Sequence, residues 1–325
     1  MKRRILAVVL ALFVLLASSC TGGIKSTAEE SRVVGTCGGN DVRYDELRYI
    51  TLTCKAALEA KYGEDIFSQA TSLWTGEYIE ELEDMVEEQI CQNYASLNIF
   101  KNAKIKTTDS VTKKDVNNYV SAVTDALGGE EKYIAYLDEC YMTDAVLRFN
   151  AALESCFYRY YEVVSEEWDK QAYDAVMSGE GFIRTMSIFI RNDAGESVEK
   201  NRLDAMNVRA EIEGGKPLTS FIGTKYNQDT GLCDYYFMKG YFDKAYEDAA
   251  FELEIGEISP VVETQDGFYI IQRMELNKGY MEDNLDALKG IYFECKMYEI
   301  IGAYADELDF ELNEYGKTID LWTME

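Results

Sequence analysis

Residues 236–271 read YFMKGYFDKAYEDAAFELEIGEISPVVETQDGFYII. Tyr236 opens a short strand. Phe242, Tyr246, Ala249, Ala250 and Leu253 then recur on one face of a helix until Gly256 turns the chain. Two strands, Val261–Thr264 and Phe268–Gln272, close the stretch with β-branched and aromatic residues. A helical period that yields to strand composition within about ten residues predicts a compact α+β unit. The rest of the chain is mostly helical in pattern, so this stretch is the first place to seek a site.

Upstream, Phe182–Arg191 reads as a strand, and a helix is predicted from Ser197 to Glu213, stopped by Gly214-Gly215 ahead of Pro217. Leu218–Lys225 is expected to add a brief second helix. Ser178-Gly179-Glu180-Gly181 marks the entry to the unit, after a short helix over Glu166–Met177. Downstream, Leu288, Tyr292, Cys295, Tyr298, Ile301, Tyr304 and Leu308 form a stripe on a helix expected from Asp286 to Asn313. One helix cannot bury that stripe alone, so it is expected to pack back on the N-terminal helices. Residues 179–277 are then an inserted domain and residues 278–325 the returning C-terminal segment.

Residues 33–178 are predicted to be mostly helical. A strand, Val33–Cys37, turns through Gly38-Gly39-Asn40-Asp41 and returns over Val42–Tyr44, ahead of a helix from Asp45 to Tyr62. Tyr78, Ile79, Leu82, Met85, Val86, Ile90, Tyr94 and Leu97 line a helix from Thr75 to Asn98, and the carboxylates between them fall on its solvated face. Further helices are expected over Thr112–Ala126, Glu130–Cys140 and Thr143–Val164. In the run Phe157-Tyr158-Arg159-Tyr160-Tyr161, some rings must face the core and the outward ones are candidates to line a peptide groove.

At the start, Lys2-Arg3-Arg4 and the apolar run Ile5–Ala17 have the pattern of a signal peptide, the run being too short to span a bilayer comfortably. It ends in Leu16-Ala17-Ser18-Ser19-Cys20. That resembles a bacterial lipobox, with Ala17 where leucine is usual. The resemblance implies removal of residues 1–19 and diacylglycerol on Cys20; the alternative is an ordinary secretory cleavage near Ser19. Residues 20–32, small and polar, read as a flexible tether.

Composition narrows the chemistry. The chain has 325 residues, room for about two domains, and 47% apolar content, which argues against disorder. Its net charge of −27 becomes −30 without residues 1–19, with 29 basic against 59 acidic residues. A surface of that sign repels nucleic-acid phosphates and anionic lipid. No histidine occurs, which excludes Ser-His-Asp triads, histidine zinc sites and imidazole proton shuttles. The eight cysteines include no C-x-x-C pair, so no metal site is expected. If Cys20 carries lipid, an odd number remains. Cys54, Cys91, Cys156 and Cys295 read as small buried residues on helix faces rather than as disulfides.

The central stretch resembles the parvulin-type peptidyl-prolyl isomerase domain, whose pattern runs roughly F-x-x-G-x-M-x-x-x-F-E-x-A-A-F-x-L-x-x-G-E-I-S-x-P-V-x-T-x-x-G-Y-H-I-I. Phe237, Gly240, Phe242, Tyr246-Glu247, Ala249-Ala250-Phe251, Leu253 and Gly256-Glu257-Ile258-Ser259 match it in order. Pro260-Val261, Thr264, Gly267-Phe268 and Ile270-Ile271 continue the match. Thr185–Ile190 is similar to the family's A-x-H-I-L-V strand, and Tyr226–Gly231 to its Y-S-x-D-x-G. Residues 33–47, VVGTCGGNDVRYDEL, are similar to the opening of SurA-like and PrsA-like chaperone domains.

The resemblance implies an α+β fold: a small antiparallel sheet flanked by helices, inserted in a mostly helical SurA-like domain. It also implies a lipid-anchored foldase of the bacterial cell membrane, extracytoplasmic and without cofactor. Such a protein isomerises X-Pro bonds in unfolded secreted polypeptides, as a monomer or a homodimer. Phe242 and Tyr246 would form the cup for proline, with Thr264 beside it and Phe237 among the substrate-binding residues. The family's floor histidines are matched by Ser187 and Tyr269. The loop between Thr230 and Phe237 is shorter than the family's and lacks G-G-D-L-G, so its polar active-site residue is matched by Asp229, Cys233 or Asp234. The missing histidine pair leaves a second reading, a non-catalytic holdase that only binds unfolded secreted chains.

Overall fold

A computed structural model describes residues 29–63, 66–67, 75–192, 197–227, 234–264 and 266–325. The signal segment, Cys20, Asp229 and Cys233 lie outside the described residues. The chain divides into two units, residues 1–164 with 300–325, and residues 165–299.

The first unit begins with a hairpin of β1 (Val33–Cys37) and β2 (Asn40–Arg43). Gly38 and Gly39 turn it with φ of 56° and 76°, the left-handed pair that a two-residue hairpin loop requires. A strand near the C-terminus, β7 (Phe310–Leu312), pairs with the other edge of β1. The helix expected as far as Asn313 ends at Ala305 instead. Leu308-Asp309-Phe310-Glu311-Leu312 alternates apolar and charged residues, which is the period of a strand.

Helices α1 (Tyr44–Tyr62), α2 (Thr75–Asn102), α3 (Ser110–Leu127), α4 (Glu130–Glu139) and α5 (Asp144–Ser178) follow the hairpin. The Glu46 carboxylate accepts the Arg43 N–H at the start of α1, and Asp109 accepts the N–H groups of Val111 and Thr112 at the start of α3. Val116, Val120, Tyr133, Leu137, Val146 and Leu147 form a core between α3, α4 and the first part of α5. The sequence suggested two helices over 143–177. One helix of 35 residues stands there because no glycine or proline interrupts the backbone ladder around Ser165. In the aromatic run, Phe157 is buried and Tyr158 exposed. Cys54, Cys91 and Cys156 are buried free thiols.

The second unit is built on a four-stranded antiparallel sheet in the order β4-β3-β6-β5. Its strands are β3 (Ile183–Arg191), β4 (Asp234–Phe237), β5 (Val262–Thr264) and β6 (Gly267–Met274). β3 pairs with β6 from Arg184 opposite Met274 to Arg191 opposite Gly267. A side chain at Gly267 would put a Cβ 2.2 Å from the Ile190 carbonyl oxygen, so only glycine permits this close approach.

Strand alternation gives the sheet two apolar faces. Ile188, Ile190, Phe268 and Ile270 pack under α6 (Val198–Glu213) through Ala205, Val208 and Ile212. The helix expected over Leu218–Lys225 is a single tight turn, Leu218–Phe221, cut short by Ile222 in extended conformation and Gly223 at φ 74°. On the other face, Ile183, Phe237 and Ile271 pack against Tyr246 and Ala250 of α7 (Lys244–Glu252). A third cluster joins Val176, Phe182 and Tyr236 to Met281 of α8 (Lys278–Asp283) and Leu288 of α9 (Leu285–Ala305). Residues 285–299 of α9 group with this unit, where Phe293 stacks on Trp168. Among the described residues no helix is long and apolar enough to cross a membrane. The architecture is α+β, mostly helical, with small antiparallel sheets.

Candidate active site

Alternate residues of each strand face α7. They are Thr185, Ser187 and Phe189 of β3, Tyr269 and Ile271 of β6, Tyr235 and Phe237 of β4, and Val262 and Thr264 of β5. Six residues expected at the site, Ser187, Phe237, Phe242, Tyr246, Thr264 and Tyr269, therefore gather on one side of one sheet.

Their rings form a continuous wall. Phe242 meets Phe237 edge-on with centroids 4.7 Å apart, and leans on Tyr246 at 4.9 Å. Tyr246 meets Tyr269 edge-on at 4.9 Å, and Tyr269 stacks on Phe189 at 4.3 Å. Such pairs are attractive beyond their buried area. Phe237 and Tyr246 are buried, whereas Phe242 and Tyr269 are only partly so and form the accessible edge.

Glu247 holds Phe242 in that position. Its buried carboxylate accepts the backbone N–H groups of Gly240, Tyr241 and Phe242 at 2.8, 2.6 and 2.8 Å. Charge-assisted bonds of this kind are strong, and here they shape the loop that delivers the ring. Asp243 then caps α7 by accepting the Ala245 N–H. The sequence placed Glu247 in a motif without a role. Its available signal was a carboxylate on the buried side of an amphipathic helix.

The polar floor is sparse. Thr185 Oγ1 and the Tyr246 hydroxyl share a hydrogen bond of 2.8 Å beneath the wall. Ser187 Oγ is buried and has no hydrogen-bond partner among the described residues. Ser187 faces Ile271 across the ladder and Tyr269 faces Phe189, so Ser187 and Tyr269 are diagonal neighbours. Thr264 Oγ1 donates to the Gly267 carbonyl at 3.1 Å, closing the hairpin between β5 and β6.

Asp234 is not part of this face. It begins β4 and alternates to the opposite side, where its carboxylate takes both Nε and Nη2 of Arg184 at 2.7 and 2.6 Å. That bond raises the guanidinium above its usual value. From sequence Asp234 reads as a loop residue, for which no side of the sheet is defined; strand alternation, with Asp234 opposite Met186, turns it away from the aromatic face. Among the described residues no cluster of three or more metal-ligating side chains occurs.

Residues 196–275 match the family model described as the PPIC-type PPIase domain, or rotamase. The chain is 23% identical over 219 residues to the foldase protein PrsA of Oceanobacillus iheyensis, covering 63% of this chain and 65% of that relative's length. Similar solved structures include PrsA of Streptococcus pneumoniae, 15% identical with a TM-score of 0.37, covering 70% of this chain and 88% of that one. PrsA of Bacillus anthracis is another, 17% identical with a TM-score of 0.30, covering 69% and 96%. The sequence match spans α6, β4, α7, β5 and β6, and so contains Phe237, Phe242, Tyr246 and Tyr269 of the aromatic wall, while Phe189 on β3 precedes it. Residues 196–275 thus match a PPIC-type PPIase domain, and the chain is similar to the PrsA foldases.

Proposed function

We propose that the chain is an extracytoplasmic foldase that isomerises X-Pro bonds of unfolded secreted polypeptides at this aromatic face. The observation that carries the reading is the gathering of Phe237, Phe242, Tyr246, Tyr269 and Thr264, all within the stretch that matches the PPIC-type domain, on one sheet face with Ser187 of the preceding strand β3.

The reaction breaks no bond. Rotation about an X-Pro amide crosses a barrier of about 18–20 kcal/mol because resonance is lost in the twisted state. Left alone it takes on the order of 10–100 s, slow enough to limit folding. The twisted amide is less charge-separated than either planar form, so a surface that takes the proline ring out of water favours it. The edge formed by Phe242 and Tyr269 offers that surface. As the amide twists, the prolyl nitrogen regains a lone pair, and Ser187 Oγ is a hydroxyl without a partner among the described residues. No cofactor takes part.

The N-terminal pattern supports a lipid anchor on Cys20 at the outer side of a bacterial cell membrane. The helices of residues 33–178 would cradle the client, in a monomer or a homodimer. A holdase is the second reading, favoured by Tyr269 lying between Phe189 and Tyr246 where the family has a histidine. An NMR exchange experiment on an X-Pro peptide tests the choice. Acceleration that Phe242→Ala cuts roughly tenfold or more supports the isomerase. No acceleration at micromolar protein, with client aggregation still suppressed, supports the holdase and refutes catalysis.

A further inference from the structure

Cys37 ends β1 and Cys91 lies on α2, 54 positions later, yet their sulfurs are 3.7 Å apart. Both side chains are buried, 1% and 4% exposed. The Cys37 thiol points to the Cys91 sulfur, and the Cys91 thiol to the Leu308 carbonyl oxygen 3.6 Å away. A cysteine serving only as a small apolar residue has no need of a second one against it; Cys156, for comparison, sits against Thr112 Oγ1.

We propose that Cys37 and Cys91 are a disulfide-forming pair that ties β1 to α2. A disulfide holds its sulfurs about 2.05 Å apart, so the two close a gap of about 1.7 Å. The step is thiol–disulfide exchange with an oxidant disulfide, either glutathione disulfide or that of an oxidoreductase. One cysteine thiolate attacks a sulfur of the oxidant and expels a thiol, leaving a mixed disulfide. The second thiolate attacks the protein sulfur of that bond and expels the other thiol. Two electrons and two protons leave the pair, and the oxidant becomes two thiols.

The bond closes the loop of residues 37–91 and fastens the β2-β1-β7 sheet to α2. Burial pushes the Cys37 thiol up to about 12, so the folded dithiol presents little thiolate. The disulfide therefore forms as the chain folds, and is screened from reductant afterwards. None of this depends on the isomerase reading of the second unit.

The test starts from the reduced, unfolded chain, refolded in a mixture of reduced and oxidised glutathione, then alkylated under denaturing conditions and cut with trypsin. Trypsin leaves Cys37 in residues 33–43 and Cys91 in residues 62–101, each with a single cysteine. The expected result is that these two peptides are joined, that reductant separates them, and that the oxidised chain melts at a higher temperature than the reduced one. Cys37→Ala should leave Cys91 fully alkylated, while Cys54→Ala should leave the linkage intact. Full alkylation of Cys37 and Cys91 after oxidative refolding, or a bond from either to another cysteine, overturns the proposal.

Discussion

Glu294 lies on α9 with 7% of its surface exposed, and burial pushes its carboxyl up from 4.5 to about 7. Replacing it with glutamine keeps the shape and removes the titration. In the unfolded chain the carboxyl stays near 4.5, so between pH 4.5 and 7 the folded form holds a proton that the unfolded form has lost. Stability contributed by this site therefore falls as pH rises through that window. Once the group is ionised above it, the cost to the fold is about 3 kcal/mol, at about 1.4 kcal/mol per pH unit. The stability gained by Glu294→Gln should be smallest at pH 4 and grow by about that amount by pH 8. Urea unfolding followed by tryptophan fluorescence reads it directly, since Trp168 stacks on Phe293, the neighbour of Glu294. A difference between the two proteins that does not change with pH would refute the reasoning, as would a variant less stable than wild type at pH 8.

Other residues test the site itself. Phe242→Ala removes a partly exposed ring worth about 1.5–3 kcal/mol of burial to a bound proline, so kcat/KM in the exchange assay should fall roughly tenfold to a hundredfold with circular dichroism unchanged. Tyr246→Phe strips the partner from a Thr185 hydroxyl that is fully buried; a loss of about 1–2 kcal/mol in urea unfolding is expected, and no loss would mean the bond does not form. Glu247→Ala orphans three backbone N–H groups at once and should cost about 3–5 kcal/mol, together with the order of the loop carrying Phe242, read by hydrogen exchange at residues 240–242. Because the chain has no histidine, the isomerisation rate of the Glu294→Gln variant, which lacks the carboxyl pushed up to about 7, should stay level from about pH 5.5 to 8; an inflection near 6.5 there would contradict the hydroxyl floor.

Much of this protein is legible from local pattern. The strand Ile183–Arg191, the helix Val198–Glu213 and the closing strands were all readable to within a residue or two, because periodicity and glycine punctuation act over a single turn or hairpin. The gathering of the aromatic residues Phe237, Phe242, Tyr246 and Tyr269 was readable from the motif spacing of one helix and its flanking strands. Local pattern failed where a break was assumed. Nothing between Val163 and Glu167 stops a helix, and the alternation after Leu308 reads as strand only once it is set beside β1.

What remained hidden was decided by register and by contacts between distant residues. Asp234 shows this most plainly. One residue earlier or later along β4 it would face the aromatic wall, but pairing opposite Met186 turns it to Arg184 instead. The catch of Glu247 on three backbone N–H groups, the unpartnered hydroxyl of Ser187 and the meeting of Cys37 with Cys91 are of the same kind. Each depends on where a second element lies against the first, a placement that the packing of the whole unit decides and no single stretch encodes.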